Sequence, residues 1–192
     1  MAQTFVGSES CSGCHSAKYN DWFQSGHPYK FSIIENNQPP FYPPEAINFM
    51  DQWMDSVGDG TLGWENIAGV IGGYGWKSRF VGDDGHIVGT AGSAYSTGMG
   101  HNQFNFYGGE DHGWVDYHPG DVKIYNYSCF KCHTTGGTLE GTWLPGVADL
   151  GNFTEGGIGC ESCHGPGSDH ISTMSADDID RVYEFAHLDN SL

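Results

Sequence analysis

Apolar and polar positions fall into a few short periodic stretches, separated by long glycine-rich text with no regular period. Residues 16–27, SAKYNDWFQSGH, read as a short helix that Gly26 ends before His27. In 43–56, PPEAINFMDQWMDS, apolar residues at Ala46, Met50, Trp53 and Met54 follow two prolines suited to a first turn, which predicts a packing helix. Residues 67–89, IAGVIGGYGWKSRFVGDDGHIVG, predict two strands that turn at Asp84 and Gly85. From there to Pro119 the text is glycine-rich and aromatic with little periodicity. Residues 175–187, SADDIDRVYEFAH, open with Ser175 and Asp178 in capping-box positions and place Ile179, Val182, Tyr183 and Ala186 on one face, a helix finishing at His187. No run of 18 apolar residues exists, so no membrane-spanning helix is expected.

Composition makes the missing periodicity significant. Hydrophobic residues are only 38 % of 192 and there are 30 glycines, too little apolar material for a thick side-chain core. Sparse regular structure wrapped around some other apolar body is the expectation. Twenty-four acidic against seven basic residues give a formal charge of -17, which argues against nucleic acid or an anionic membrane as partner. A cationic redox partner, metal ions or a mineral surface would suit it better, although solubility alone explains the charge equally well. The opening MAQTFVGSES lacks the charged-then-apolar pattern of a secretory signal, so an exported protein would be read here in its mature form.

The six cysteines all belong to one repeated phrase: CSGCH at 11–15, CFKCH at 129–133 and CESCH at 160–164. Structural zinc takes two such pairs, or one pair with two spaced histidines, which leaves one of three unmatched. A thioredoxin-like motif needs no following histidine, and disulfides give no reason for one at a fixed offset. Attachment of c-type haem requires all of it, because thiols one helical turn apart can add to the two vinyl groups while the next residue turns its imidazole to the iron. The expected cofactors are therefore three haem c, on Cys11 and Cys14, Cys129 and Cys132, and Cys160 and Cys163, with His15, His133 and His164 as proximal ligands. Seven histidines remain for three distal positions: His27, His86, His101, His112, His118, His170 and His187. That surplus favours bis-histidine iron over methionine ligation by Met50, Met54, Met99 or Met174. His86, beside a predicted turn, is expected to be solvated. Asn126 and Asn152 match the glycosylation pattern, but the first abuts a haem cysteine and reads as structural. GDDG at 82–85 lacks the alternating ligands of a calcium loop and reads as a turn.

Taken together, CSGCH with WFQSGHPYKF, IGGYGWKSRFVG, WVDYHPG, CFKCHTTG and GIGCESCHGPGSDH resemble the multihaem cytochromes of the cytochrome c-554 type, and within them the OmcE-like subunits of extracellular cytochrome filaments. The likeness runs from residue 4 to about 170 and departs from the pattern in having three motifs instead of four. It implies a multihaem cytochrome c fold, mostly irregular coil with short α-helices and a β-hairpin around a closely packed haem chain. One domain spans 1–192: a first haem segment at 1–30, a haem-free region at 31–125, and 126–192 with the other two haems and a C-terminal helix. It also implies His27, His118 and His170 as distal ligands, with His170 serving a neighbouring haem, and leaves His112, His101 and His187 in reserve or as ligands in trans. Electron transfer follows, either in a conductive homopolymer outside the cell or as a periplasmic carrier, with redox proteins or extracellular acceptors as partners. A multihaem reductase would need an open iron, often marked by a motif lacking the proximal histidine; all three motifs here end in histidine.

Overall fold

The computed structural model describes residues 3–44, 62–95, 101–106, 113–118 and 120–179. Its centre is a five-stranded antiparallel sheet in the order β1-β2-β3-β4-β5. The strands are β1 (Phe31–Ile33), β2 (Ile67–Gly72), β3 (Lys77–Gly82), β4 (Gln103–Asn105) and β5 (Gly113–Val115). A two-residue ladder, β6 (Thr134–Thr135) with β7 (Glu155–Gly156), lies between the second and third cysteine motifs. Among the described residues the α-helices are short: α1 (Ser8–Ser12), α2 (Ser16–Phe23), α3 (Tyr127–Phe130), α4 (Glu161–His164) and α5 (Ser168–Thr173). None is long and apolar enough to cross a membrane.

The predicted hairpin forms, but it turns elsewhere. β2 and β3 pair in the register Val70↔Phe80 and are joined through 73–76, where the Gly73 N–H donates to the Lys77 carbonyl at 2.8 Å. Gly72, at φ 76°, cannot be replaced freely, because a Cβ there would stand 2.5 Å from the Lys77 carbonyl oxygen. Asp84 and Gly85 make a second, tighter turn that folds Ile87 back onto Val81, so GDDG is a turn as expected. The sheet also recruits β1, β4 and β5 from text without period. Their three-residue length leaves too little alternation to detect, and β4 buries all three of Gln103, Phe104 and Asn105.

Side chains alternate across the sheet between two aromatic-rich clusters. Val70, Phe80, Phe104 and Phe106 pack with Tyr29 and Tyr42 on one side. Phe31 and Val81 pack with Tyr125, Phe130, Trp143, Leu144 and Leu150 on the other, which docks α3 and its cysteine motif on that face. The Trp143 indole N–H donates to the Tyr125 carbonyl at 3.0 Å and satisfies the polar edge of that buried ring.

The predicted helix over 16–27 stops at Phe23, and a 3-10 turn, Pro28–Lys30, follows His27. The predicted packing helix over 43–56 lies almost wholly outside the described residues, as do residues 180–192. Of the C-terminal helix, only its start is described. The Ser175 side chain accepts from the Asp177 N–H as expected of a cap, but the 3-10 turn Ala176–Asp178 gives way to extended backbone at Ile179.

Candidate haem sites

Each cysteine motif is a single helical turn. The His15 N–H donates to the Cys11 carbonyl at 2.9 Å and the His164 N–H to the Cys160 carbonyl at 3.1 Å. In the second motif the His133 N–H reaches the Phe130 carbonyl at 2.8 Å. The Asn126 side chain caps α3 by accepting from the Ser128 N–H at 3.1 Å, which is the structural role its position beside Cys129 suggests. None of the six cysteines is in a disulfide; in every motif the first is half-buried and the second exposed.

The first and third motifs share a cavity of about 340 Å³, lined by Cys11, His15, Cys160, His164 and His170 among others. There the rings of His15 and His170 have centroids 6.2 Å apart and planes 23° from parallel. The His170 Nδ1 lies 2.8 Å from the Ser175 carbonyl, which can only accept, so Nδ1 carries the proton and Nε2 is left with a free lone pair. Burial, then the neighbouring Cys160 and Glu161, push the Cys11 thiol up to about 11.

Two carboxylates bind this pair of motifs together. Glu161, 3 % exposed, accepts from the Val6 N–H at 3.0 Å and from the Gly7 and Gly167 N–H groups at 2.7 Å each. It thereby joins α4, the entry to α1 and the loop that leads to His170. Glu155 accepts from the Ser8 N–H at 3.1 Å and hydroxyl at 2.8 Å, and the same hydroxyl oxygen accepts from the Cys160 N–H at 2.9 Å. Burial holds Glu155 above the usual carboxylate range, with the Glu161 charge adding to the shift and the Ser8 hydrogen bonds opposing it.

A second cavity, of about 550 Å³, opens on Cys129 and His133 beneath the sheet. Four buried polar atoms on residues that line it have no hydrogen-bond partner: Ser78 Oγ, Arg79 Nη2, Tyr125 Oη and His133 Nδ1. Burial, with Lys30 adding to it, lowers the His133 pKa and favours the neutral imidazole that a metal requires. A third cavity, of about 740 Å³, reaches both Cys132 and Cys163. Thr135 and Ser162, whose hydroxyls are 2.7 Å apart, tie β6 to α4 beside it. The third motif therefore borders cavities shared with each of the other two.

These observations meet the requirements of haem c at each motif. Paired thiols stand one turn apart, each motif histidine lies beside a cavity of ligand size, and polar atoms are orphaned in the one beside His133. Among the described residues, no three His, Cys, Asp or Glu side chains converge as they would on a bare metal ion.

Structural comparison places this arrangement. The chain is similar to the undecahaem cytochrome from the S-layer of Carboxydothermus ferrireducens, at 25 % identity and a TM-score of 0.54 over 88 % of this chain and 22 % of that one. The fold is that of multihaem cytochromes. The outer cell wall cytochrome OcwA shares the fold at 22 % identity and a TM-score of 0.50, over 94 % of this chain and 35 % of its own. This chain thus spans only about a fifth to a third of the length of these two proteins. Residues 110–165, which hold the second and third motifs, match the family model described as cytochrome c554 and c-prime. No curated protein matches the chain.

Within this multihaem fold the expected distal histidines sit differently from one another. The His170 ring centre lies 6.2 Å from that of His15. His27 is exposed, with Nδ1 3.2 Å from the Ser25 hydroxyl, and its carbonyl accepts from the Ile158 N–H, two residues before Cys160. His118, at φ 52°, is exposed with its ring edge-on to Tyr117, which lines the Cys129–His133 cavity. His101, a reserve, pairs with Asp116 at 2.9 Å. His86 is not solvated: it is half-buried, 3.5 Å from the Asp84 carboxylate, because the turn at 82–85 folds it inward. Met174 is 69 % exposed at the end of α5. His112, His187, Met50, Met54 and Met99 lie outside the described residues. Sequence reasoning did not single out Glu155, Glu161, Arg79 or Tyr125 as site residues. The only available signal was an acidic residue inside the third motif.

Proposed function

We propose that the chain carries three covalent haem c groups, on Cys11 and Cys14, Cys129 and Cys132, and Cys160 and Cys163, and that its function is electron transfer. When bound, such a group supplies an iron that changes charge by one electron. The residues have the task of fixing it, closing its coordination and excluding water. One observation carries the reading: the 6.2 Å between the ring centres of His15 and His170. With metal–nitrogen bonds of about 2 Å, two imidazoles on opposite faces of one iron have ring centres roughly 6 Å apart. His170 would then belong to the first motif's haem although it follows the third motif in sequence. The Ser175 carbonyl holds its ring in the ligating tautomer.

His133 and His164 are the other proximal ligands in this reading, and His27 and His118 the remaining distal ones. Iron closed on both faces by imidazole leaves no place for substrate, so a redox enzyme is disfavoured. Intact-mass measurement tests the count: three added haems are expected, and the bare polypeptide mass would end the proposal. Carbon monoxide added to the reduced protein tests the closure, with little spectral change expected.

The likeness to S-layer and outer cell wall cytochromes supports a place at the cell surface, with redox proteins or extracellular acceptors as partners. The finer expectation of a filament built from repeated copies rests on the sequence resemblance. Negative-stain microscopy of the concentrated protein checks it, since uniform monomers would remove it.

A further inference from the structure

The cavity beside the second motif has a chemical character unlike the rest of the molecule. Only seven basic residues stand against 24 acidic ones, yet three of the seven, Lys30, Lys77 and Arg79, line this single cavity. None of the three takes part in an ion pair among the described residues. Arg79 lies on β3 opposite Ile71, two residues before Val81, and so points to the face of the sheet that packs on Tyr125 and α3. Its Nε donates to the Asn102 carbonyl at 3.3 Å and its Cζ lies 5.4 Å from the centre of the Tyr117 ring. These contacts fix the guanidinium, yet Nη2 is buried with no acceptor. Tyr125, 0 % exposed, lines the same cavity and has an equally unpartnered hydroxyl. A fixed, partly dehydrated guanidinium beside an unpaired hydroxyl donor is costly unless an anionic acceptor completes it.

We propose that Arg79, with Lys30 and Lys77, forms an oxyanion-binding site in this cavity. The oxygen chemistry has two sources: the propionate side chains of the haem attached at Cys129 and Cys132, or a free inorganic oxyanion. The propionates are favoured because the motif would hold them in the same cavity at high effective concentration. This part rests on the haem reading given above. Burial lowers the Arg79 pKa, as it does for any cation enclosed without its counter-charge.

The test uses the protein as isolated, with its mass recorded first so that loss of the haem reading is seen separately. Midpoint potentials and calorimetry with inorganic phosphate are then compared among the wild type, Arg79→Gln, Arg79→Lys and Lys77→Gln. If propionates occupy the site, Arg79→Gln and Lys77→Gln each move one midpoint in the negative direction and leave the others. Arg79→Lys restores much of the shift, and phosphate gives no heat. If the occupant is a free oxyanion, phosphate binds the wild type saturably and Arg79→Gln weakens it roughly tenfold or more, with or without haem. Unmoved midpoints together with no phosphate heat would overturn the site. For a protein whose mass shows no haem, absence of phosphate heat alone does so. Lys77 is exposed at the strand end, so its variant keeps the test valid should Arg79→Gln fail to fold.

Discussion

The carbonyl of Ser175 decides what His170 can do. An imidazole whose Nδ1 is spoken for has only its other nitrogen to offer, here on a ring centred 6.2 Å from that of His15. Replacing His170 with alanine should therefore open one iron of the three: carbon monoxide would bind about a third of the haem, while Met174→Ala would leave the spectrum unchanged. Glu155 makes a second prediction at this scale. Its folded-state pKa is raised, so the folded protein holds that proton more tightly than the unfolded chain. The associated stability is present in full at low pH and is lost as pH rises from the ordinary carboxylate range through the raised value. Glu155→Gln should flatten that fall, as measured by denaturant unfolding at pH 4 and pH 7. Neither residue was equally readable beforehand. His170 stands in a recognisable phrase, GPGSDH, whereas the burial of Glu155 depends on Ser8 arriving from the far end of the sequence.

At the level of elements, the three cysteine-motif turns were legible because a repeated phrase sets two thiols and an imidazole at fixed offsets, and no tertiary contact is needed to see that. The strands were not. β1, β4 and β5 have three residues each, and β4 buries Gln103 and Asn105, which hydrogen-bond each other at 2.9 Å, so that polar text hides a core strand. The hairpin's period was visible, but two glycine turns competed for it, and 73–76 holds the longer ladder. Gly157 shows how closely elements approach near the third motif. At φ 75° its Cβ would collide with the Pro28 carbonyl, beside the bond from the Ile158 N–H to His27. Gly157→Ala should cost about 1–3 kcal/mol in thermal unfolding and loosen the segment that carries His27. Asn126→Ala should cost about 1 kcal/mol through loss of the α3 cap.

For the whole molecule, charge and core were the parts that composition described well. Two modest aromatic clusters flank the sheet, and the remaining interior is cavity bordered by cysteine motifs, as a low apolar content predicts. A formal charge of -17 should favour a cationic electron mediator over an anionic one of similar potential. Stopped-flow reduction should show that preference at low ionic strength and lose most of it near 0.15 M salt, where the screening length is about 8 Å.

The clasp that Glu161 makes with Val6, Gly7 and Gly167 has a consequence for biogenesis. If His170 completes the first motif's iron, that motif finds its second imidazole only after the third motif has been made. A haem joined at Cys11 in the order of synthesis would thus wait, half-coordinated and vulnerable to stray ligands, until the carboxylate draws these two distant segments together.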